Sequence, residues 1–353
     1  MKSSQKSNIR LAIIGTGLKA HSHAESFGKI PGCTVVAAVD VDKDRVTKFC
    51  EKHSIPAAHT DVEELLEKEN LDAVAIVTPD SSHAELSIQC LKAGKHVLCE
   101  KPLAVTYPDA LKMVAAARKA GKINMVNFSY RNWPAIHGVA QAIRKGLIGE
   151  IRHLEASYLQ GWLSGERDWK KFDSAALWRL STGHGSKGVL GDLGVHILDF
   201  ATYPAGPIST IYCKFKNFPK APRNRVGEYI LDANDSAALT VEFKNGALGI
   251  IHTSRYAAGH NNRLFLQISG TAGSMRIDSD ISTTKYFLYR SGKSNPDKWD
   301  EVETPTVPTN YERFITGMRT GKQELPDFAR GAEIQKLLDT CFVSDKKSAP
   351  VKL

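Results

Sequence analysis

The sequence predicts an α/β protein in two parts: an N-terminal, doubly wound parallel sheet, and a C-terminal α+β part with a large, mostly antiparallel, open sheet. Short apolar runs that alternate with helical patterns indicate the first part, and alternating apolar and polar residues joined by turns indicate the second. At 353 residues the chain is also longer than one hydrophobic core usually covers. We predict domains at 1–128 and 129–353, with a last helix that could pack back on the first domain.

The strands of the first part are nearly continuous apolar runs, as is typical of strands that are buried on both faces of a parallel sheet. They are IRLAIIG (9–15), TVVAAVD (34–40), LDAVAIVTP (71–79), KHVLCE (95–100) and INMVNFS (123–129). The helical stretches between them are HAESFGKI, DKDRVTKFCEKH, DVEELLEKE, SHAELSIQCLKAG and YPDALKMVAAARKAG. Because βαβ units join parallel strands, this alternation predicts a doubly wound sheet.

The pattern changes near residue 130. PAIHGVAQAIRKGLIG predicts one more helix, and EIRHLEASYLQGWL alternates as a strand does. Further alternating segments are STIYCKFKNF, DSAALTVEFKNGALGIIHTSRY, RLFLQISGTAGSMRID and KYFLYRSG. The turn-rich joints FKNGALG and SGTAGSM predict antiparallel hairpins, and DFARGAEIQKLLDTCFVSD predicts a closing helix.

Bulk composition is that of an ordinary globular protein, with 42% hydrophobic and 24% charged residues. No apolar run is long enough to span a bilayer, and the opening MKSSQKSNIR has no hydrophobic region of a signal peptide. We therefore predict a cytoplasmic protein without a membrane partner. The six cysteines are scattered without a C-x-x-C pair, which favours reduced, structural thiols over a disulfide framework or a metal site.

The net charge of +9 is the one unusual bulk feature. The lysines are dispersed rather than clustered on one helix, so the charge does not indicate a nucleic-acid partner. A dinucleotide or another anionic small molecule would be attracted by the same field.

A glycine-rich turn follows the first strand in IIGTGLKAHSHA. It matches G-x-G-x-x-A with Gly15, Gly17 and Ala20, and such glycines let the backbone approach a pyrophosphate at the start of the next helix. Asp40 ends the second strand, where a carboxylate accepts the ribose 2′-hydroxyl and repels a 2′-phosphate. NAD is therefore the predicted cofactor, and Arg45 keeps NADP open because an arginine can accommodate the phosphate. The alternative is a tight turn without a ligand.

Two further strands end in unusual segments, VTPDSSHAE (77–85) and HVLCEKPLAVT (96–106). The carboxyl ends of parallel strands form the edge at which an open α/β sheet binds its ligand. At that edge Lys101 would present its charge to the crevice, and a solvated rim lysine is the alternative. The candidate cofactor contacts are Gly15, Thr16, Gly17, Leu18, Asp40, Arg45, Thr78, Pro79, His83, Glu100 and Lys101.

The segment GVLGDLGVHILDF (188–200) places polar residues among glycines and aliphatics. Asp192, His196 and Asp199 follow an i, i+4, i+7 spacing and would share one face of a helix. A polar stripe this sparse is unlike an ordinary solvated face. Taken alone, the segment favours a half-buried helix in which a local carboxylate satisfies His196, and a functional site is the alternative that the other motifs support.

Together, IIGTGLKAHSHA, TPDSSHAEL, AGKHVLCEKPLAVT and GVLGDLGVHILDF have the order and spacing of motifs in the glucose–fructose oxidoreductase / inositol dehydrogenase (Gfo/Idh/MocA) family, which the chain resembles along essentially its whole length. The resemblance implies a Rossmann domain joined to an α/β domain with a large open sheet, and a homodimer or homotetramer assembled through that sheet. The chain departs from the family pattern at Ser186-Lys187-Gly188, where glycines are common, and at Asp80, where asparagine is common.

The resemblance also implies that Lys101, Asp192 and His196 converge beside the nicotinamide ring. Oxidising a secondary alcohol requires a base for the hydroxyl proton, and positive charge or donors near the oxygen. His196 could be the base, since imidazole titrates near working pH and the start of a helix disfavours its cation. Lys101 would supply the charge, and Asp192 would hold a substrate hydroxyl or the lysine. Which of Lys101 and His196 moves the proton stays open, and Asp199 is a structural residue that could orient His196.

Between the predicted sheet and this segment, YLQGWLSGERDWKKFDSAALWRLS (158–181) contains three of the chain's five tryptophans. Indole rings stack on the C–H faces of sugars and cyclitols, so the segment is a candidate pocket wall. Core packing or a subunit interface is an equally weighted alternative. The candidate substrate residues are Trp162, Trp178, Arg179 and, by family position, Arg131.

The predicted function is therefore an NAD-dependent oxidoreductase that transfers hydride between a secondary hydroxyl of a sugar, sugar derivative or cyclitol and nicotinamide. One alternative is a dehydrogenase of a non-carbohydrate diol. Another is a non-catalytic, sugar- or nucleotide-sensing regulatory protein of the same fold. Such sensors can lose the catalytic residues, so the presence of Lys101, Asp192 and His196 favours the enzyme.

Overall fold

The computed structural model describes residues 8–292 and 298–353, which form two compact units. The first unit contains the described residues up to Ser129 together with Pro308–Gln335, and the second contains those of Tyr130–Val307 together with Lys336–Leu353. Residues 1–7, which bear on the expected absence of a signal peptide, lie outside the described residues. The domain boundary at residues 128 and 129 stays a prediction.

The first unit contains a parallel sheet. Its strands are β1 (Ile9–Ile14), β2 (Cys33–Val39), β3 (Ala57–His59), β4 (Ala73–Ile76), β5 (His96–Cys99) and β6 (Asn124–Val126). Their order is β3-β2-β1-β4-β5-β6 and every neighbouring pair is parallel, which confirms the doubly wound prediction. The chain adds strands outward from β1 to β3 on one side and from β4 to β6 on the other, so the direction of the strand order reverses between β1 and β4. Open parallel sheets bind ligands at such a reversal point.

Helices connect these strands and continue through the second unit. They are α1 (Leu18–Gly28), α2 (Lys43–His53), α3 (Val62–Lys68), α4 (His83–Lys92), α5 (Tyr107–Ala120), α6 (Pro134–Arg144), α7 (Ser174–Leu177), α8 (Val195–Ala205), α9 (Asn310–Thr320) and α10 (Phe328–Lys347). Helix α9 belongs to the first unit, where Tyr311, Phe314 and Ile315 pack into the same core as Phe27. Helix α10 coincides with the predicted closing helix.

The second unit is built on a mixed sheet. The remaining strands are β7 (Ile151–Leu159), β8 (Ile208–Lys216), β9 (Arg225–Val226), β10 (Tyr229–Ile230), β11 (Ser236–Phe243), β12 (Leu248–Ser254), β13 (Arg263–Gly270), β14 (Gly273–Asp278), β15 (Lys285–Arg290), β16 (Asp300–Glu303) and β17 (Val351–Lys352). Nine of them form one sheet in the order β16-β15-β14-β13-β7-β12-β11-β8-β17. Only the β7–β12 pair within it is parallel among the described residues, so the predicted large, mostly antiparallel sheet is confirmed.

The two faces of this sheet differ. Buried and exposed residues alternate along β11, as expected when one face packs on a core. Helix α8 contacts β7 and β13, and α6 contacts β14 and β15. Large apolar side chains elsewhere on the sheet are exposed, among them Tyr212, Leu248 and Ile250.

Three properties of the described residues bear on the compositional predictions. None of their helices is both long and apolar enough to cross a membrane. All six cysteines are buried and free. Within 8–292 and 298–353, His, Cys, Asp and Glu side chains form no group of three or more that could hold a metal ion.

Candidate active site

The turn between β1 and α1 combines a glycine with positive φ and open space beside the start of α1. Gly15 has φ +91°, and a Cβ there would lie 2.8 Å from the Thr78 nitrogen, so only glycine fits without strain. A Cβ built on Gly17 meets nothing within 4 Å, which leaves open space beside the start of α1. Among the residues that the structure describes, no side chain caps that helix start. Its N–H groups can therefore receive the diphosphate of NAD, as the sequence predicts for Gly15, Thr16, Gly17 and Leu18.

Asp40 lies directly after β2 and is held by several donors. Its Oδ2 accepts from the backbone and hydroxyl of Thr16 at 2.8 and 2.9 Å, and Arg45 donates from both Nε and Nη2 at 3.1 and 2.6 Å. Burial alone would raise the pKa of Asp40, but these donors outweigh burial and lower it to about 2. The carboxylate is therefore ionised and fixed, as recognition of a ribose hydroxyl requires.

His83 joins the two strand ends that the sequence assigns to the cofactor edge. It is almost fully buried, and its Nδ1 and Nε2 lie 2.8 and 2.9 Å from the carbonyl oxygens of Pro102 and Thr78. The Ser82 hydroxyl donates to Thr78 Oγ1 at 2.7 Å. His83 thereby fixes the backbone that follows Lys101 to the backbone that precedes Pro79. A direct contact of His83, Thr78 or Pro79 with the cofactor stays a prediction.

Glu100 is a buried carboxylate beneath the same edge. Its Oε1 accepts from Asn127 Nδ2 and lies 2.8 Å from His23 Nε2, while Oε2 accepts from the Lys101 N–H at 3.1 Å. Burial alone would raise the pKa of Glu100, but the hydrogen bond and charge of His23 outweigh burial and hold the pKa well below its usual range. Glu100 thus fixes the backbone from which Lys101 projects.

A Glu100→Gln variant should lower the free energy of unfolding at pH 7 by about 2 kcal/mol, because a neutral amide weakens the charge-assisted hydrogen bonds that the buried carboxylate accepts from Asn127 and the Lys101 N–H. The folded-state pKa of Glu100 lies below its ordinary value of 4.5. Its contribution is therefore complete above pH 4.5 and declines as the pH falls below that value. Urea unfolding between pH 7 and pH 3 should show a smaller acid loss in the variant than in the wild type.

The matched control is Asp109→Asn on α5, where Asp109 forms a surface ion pair with Lys112 at 2.8 Å. Such exposed pairs contribute about 0–1 kcal/mol, so this variant should unfold almost as the wild type does. Equal stability of Glu100→Gln and Asp109→Asn at pH 7 would refute the assigned role of Glu100.

The segment that carries Asp192 and His196 is not the single α-helix that the sequence predicts. Leu190–Gly194 form a π-helical turn, and α8 begins only at Val195. Gly188 enters this turn with φ +67°, where a Cβ would lie 2.5 Å from the Asn234 side chain. Close packing against Asn234 therefore shapes the start of the segment, and π-turns inside helices are frequent at functional sites.

Asp192 lines a cavity of about 480 Å³ in the second unit. Its Oδ2 accepts from Arg255 Nη2 at 3.0 Å and lies 3.5 Å from Arg179 Nε. The cavity lining is Gln160, Trp162, Ala176, Arg179, Asp192, Asn261 and Asn262. Amides, a carboxylate and a guanidinium can exchange hydrogen bonds with hydroxyl groups, and the indole offers an apolar wall. Two predicted substrate residues, Trp162 and Arg179, thus meet Asp192 at one cavity.

His196 is buried against two tyrosines. Its ring centroid lies 4.7 Å from that of Tyr130 and 6.3 Å from that of Tyr158. The two tyrosine hydroxyls are 2.6 Å apart, and Tyr158 donates to Asn262 Oδ1, which also accepts from Gln160 Nε2. The tyrosines around His196 are therefore hydrogen-bonded to Asn262 of the cavity wall, and Asn262 in turn to Gln160. Gln160 lies within the predicted pocket-wall segment 158–181, but the sequence alone assigns no role to Gln160, Tyr130 or Asn262.

The other two predicted substrate residues are not part of this lining. Arg131 is 4% exposed and donates from Nε and Nη2 to Asp199 at 2.6 and 2.8 Å, which fixes it to α8. Trp178 is 38% exposed and lies under the Arg179 guanidinium. Their contacts with substrate stay predictions, as does the orientation of His196 by Asp199. Of the tryptophan-rich segment, Trp162 and Trp169 both pack against a small core around Leu163, and Trp162 also lines the cavity; a substrate role of the segment stays a prediction.

Comparison with known proteins matches both halves of the chain. Residues 9–128 match the family model described as an oxidoreductase family with an NAD-binding Rossmann fold, and residues 136–276 match the GFO/IDH/MocA C-terminal domain. The chain is 29% identical to levoglucosan dehydrogenase of Pseudarthrobacter phenanthrenivorans, over 97% of each protein. It is 34% identical to 1,5-anhydro-D-fructose reductase of Ensifer adhaerens, over 78% of this chain and 77% of that protein.

A solved structure of levoglucosan dehydrogenase in complex with NADH and L-sorbose has the same fold. The TM-score is 0.87 at 25% sequence identity, and the match covers 98% of this chain and 99% of that one. The two family models together cover more than half of the sequence. The Rossmann model matches the part that forms the parallel sheet, and the C-terminal model matches the part that begins the mixed sheet. The chain therefore belongs to the Gfo/Idh/MocA oxidoreductase family, and its first domain is an NAD-binding Rossmann domain.

Proposed function

We propose that the chain is an NAD-dependent dehydrogenase that oxidises a secondary hydroxyl of a sugar, sugar derivative or cyclitol, or reduces the corresponding ketone. The observation that carries this proposal is the cavity that combines Asp192 with Trp162, Arg179 and three amide side chains. An indole wall and hydrogen-bonding groups on several sides suit a small, polyhydroxylated ring. The names of the relatives, a levoglucosan dehydrogenase and an anhydrofructose reductase, support the same substrate class.

In this proposal each residue of the catalytic trio has one task. NAD, when bound, supplies the hydride acceptor. His196 takes the hydroxyl proton, since imidazole titrates near neutral pH. Lys101 places positive charge at the substrate oxygen as that oxygen becomes alkoxide-like. Asp192 accepts a hydrogen bond from a substrate hydroxyl and so orients the ring.

The partners and location follow from the surfaces and the cysteines. We infer a homodimer or homotetramer through the open sheet. Tyr212 and Ile250 both pair with Thr240 across neighbouring strands, so they lie on the same face of the sheet, where both are exposed. The six free, buried cysteines support a cytoplasmic location, where thiols stay reduced.

The test is a nicotinamide-absorbance assay with NAD⁺ and NADP⁺ tried separately against myo- and scyllo-inositol, aldoses, anhydrosugars, glucosides and dihydrodiols. Turnover of a sugar or cyclitol with NAD⁺ is expected. Turnover of dihydrodiols alone would overturn the substrate class. NAD binding without turnover of any alcohol would overturn the enzymatic role in favour of a sensing protein. A preference for NADP⁺ would contradict the role given to Asp40.

A further inference from the structure

Arg255 is the largest of the fully buried side chains among the described residues. It directly follows β12, and its backbone is fixed on both sides. The Arg255 N–H donates to the Asp235 carbonyl at 3.0 Å, and the Arg255 carbonyl accepts from the Leu163 N–H at 3.0 Å. Burying a guanidinium completely costs free energy unless charged or polar partners compensate for the lost hydration, so the groups that contact it are of interest.

The guanidinium contacts three residues that line the cavity, although Arg255 itself is not part of the lining. Nη2 donates to Asp192 Oδ2 at 3.0 Å, and Nη1 donates to the Arg179 carbonyl at 3.1 Å. The guanidinium carbon lies 5.4 Å from the centroid of the Trp162 ring. One rigid, planar group thus touches a carboxylate, a backbone and an indole that form different parts of the wall.

The charge balance makes this arrangement difficult to rearrange. Burial lowers the pKa of Arg255, and the charge and hydrogen bond of Asp192 oppose that change. Among the described residues, Nε of Arg255 has no hydrogen-bond partner, and Asp192 is the carboxylate that the guanidinium hydrogen-bonds. Rotation of Asp192 away from Arg255 would leave a buried cation without that partner, so the carboxylate is held in place.

We propose that Arg255 is a positioning residue that fixes Asp192, Arg179 and Trp162 in the arrangement that orients the substrate hydroxyls. The inference rests on the proposed function. Lysine cannot replace Arg255, because an ammonium group is a single point charge and lacks the fork that reaches Asp192 and the Arg179 carbonyl together.

The experiment compares Arg255→Lys with the matched control Arg263→Lys. Arg263 also forms a forked ion pair, with Asp278 at 2.9 and 2.6 Å, and it does not line the cavity. Turnover is measured on the polyol that the wild type oxidises. Polyol Kd is measured by calorimetry on protein saturated with NADH, and NADH Kd and Tm report on the fold. The Arg255→Lys change is repeated in an Asp192→Asn background.

We expect Arg255→Lys to lower kcat/KM by about 10²-fold and to weaken polyol binding, since small misplacements of a positioning group have effects of that size. The NADH Kd of Arg255→Lys should stay near that of the control Arg263→Lys. The control should have the same kcat/KM as the wild type. In the Asp192→Asn background the lysine should cause a much smaller further loss, because the part of its effect that acts through Asp192 is already gone and only the contacts with Arg179 and Trp162 remain.

Three results would overturn the proposal while the wild type is active. In the first, Arg255→Lys has the same kcat/KM as the wild type. In the second, Arg255→Lys lowers kcat/KM by the same factor in the wild-type and in the Asp192→Asn background. In the third, neither Arg255→Lys nor Arg255→Gln folds, which would make Arg255 a core residue only. A wild type that turns over no polyol would instead overturn the proposed function, and the role of Arg255 with it.

Discussion

A Lys101→Met variant is expected to lose kcat by about 10²- to 10³-fold, because it lacks the positive charge that we propose at the substrate oxygen. Methionine keeps an unbranched apolar stem. The backbone N–H of Lys101, which donates to Glu100 Oε2 at 3.1 Å, is unchanged by the substitution. NADH binding, measured by nicotinamide fluorescence, should weaken far less than steady-state turnover falls, because the proposed charge acts at the substrate oxygen.

Two further variants give this result its meaning. Lys112→Met is the matched control, since Lys112 is 67% exposed on α5 and pairs with Asp109, and it should turn over normally. Lys101→Arg keeps the charge but cannot act as a base, because a guanidinium stays protonated. Activity retained by the arginine variant assigns Lys101 an electrostatic role, whereas loss in both variants points to proton transfer by Lys101. Normal kcat in Lys101→Met would refute any role in the chemical step.

The first unit could be predicted largely from sequence because its signals are local. The glycine turn, the apolar runs and Asp40 at a strand end each fall within a few residues of the structure they specify. Strand β3 is absent from the prediction, since its three residues, Ala-Ala-His, have no strand-like character and depend on pairing with β2. Helix α9 is absent from it too, although a local signal exists, a capping box between Thr309 and Glu312 with Gly321 at its end.

The second half of the candidate site could be predicted only where a motif carries it. Asp192 and His196 lie in such a motif, but Arg255 is 63 positions from Asp192, and Asn262 is 104 positions from Tyr158. Pairing of β7 with β13 brings Asn262 to Tyr158, and contact of the π-turn with β12 brings Asp192 to Arg255. No single segment of the sequence records either contact. The π-turn also escapes prediction, because an i, i+4 spacing does not distinguish it from an α-helix.

A His196→Asn variant is expected to lose kcat by about 10²- to 10⁴-fold, since asparagine can hydrogen-bond but cannot take a proton at working pH. His196 lies in α8, which directly continues the π-turn of Leu190–Gly194. The edge-on packing of Tyr130, with ring centroids 4.7 Å apart, holds the imidazole in one orientation. The measurement is the pH profile of kcat/KM, in which the wild type should show an acid limb that reports the protonation of the base.

The control is His252→Asn, because His252 is a partly buried histidine on β12 that does not line the cavity. The acid limb and the kcat of this variant should match those of the wild type. Comparison with Lys101→Arg then identifies the group that moves the proton. If the acid limb disappears in His196→Asn but persists in Lys101→Arg, the proton passes to His196 and the lysine acts by charge. If the limb persists in His196→Asn with an undiminished rate, His196 is not the base. Both outcomes rest on one chemical difference between the two roles. A group that accepts the proton loses its function when it can no longer titrate. A group that acts by its charge keeps its function as long as it stays charged.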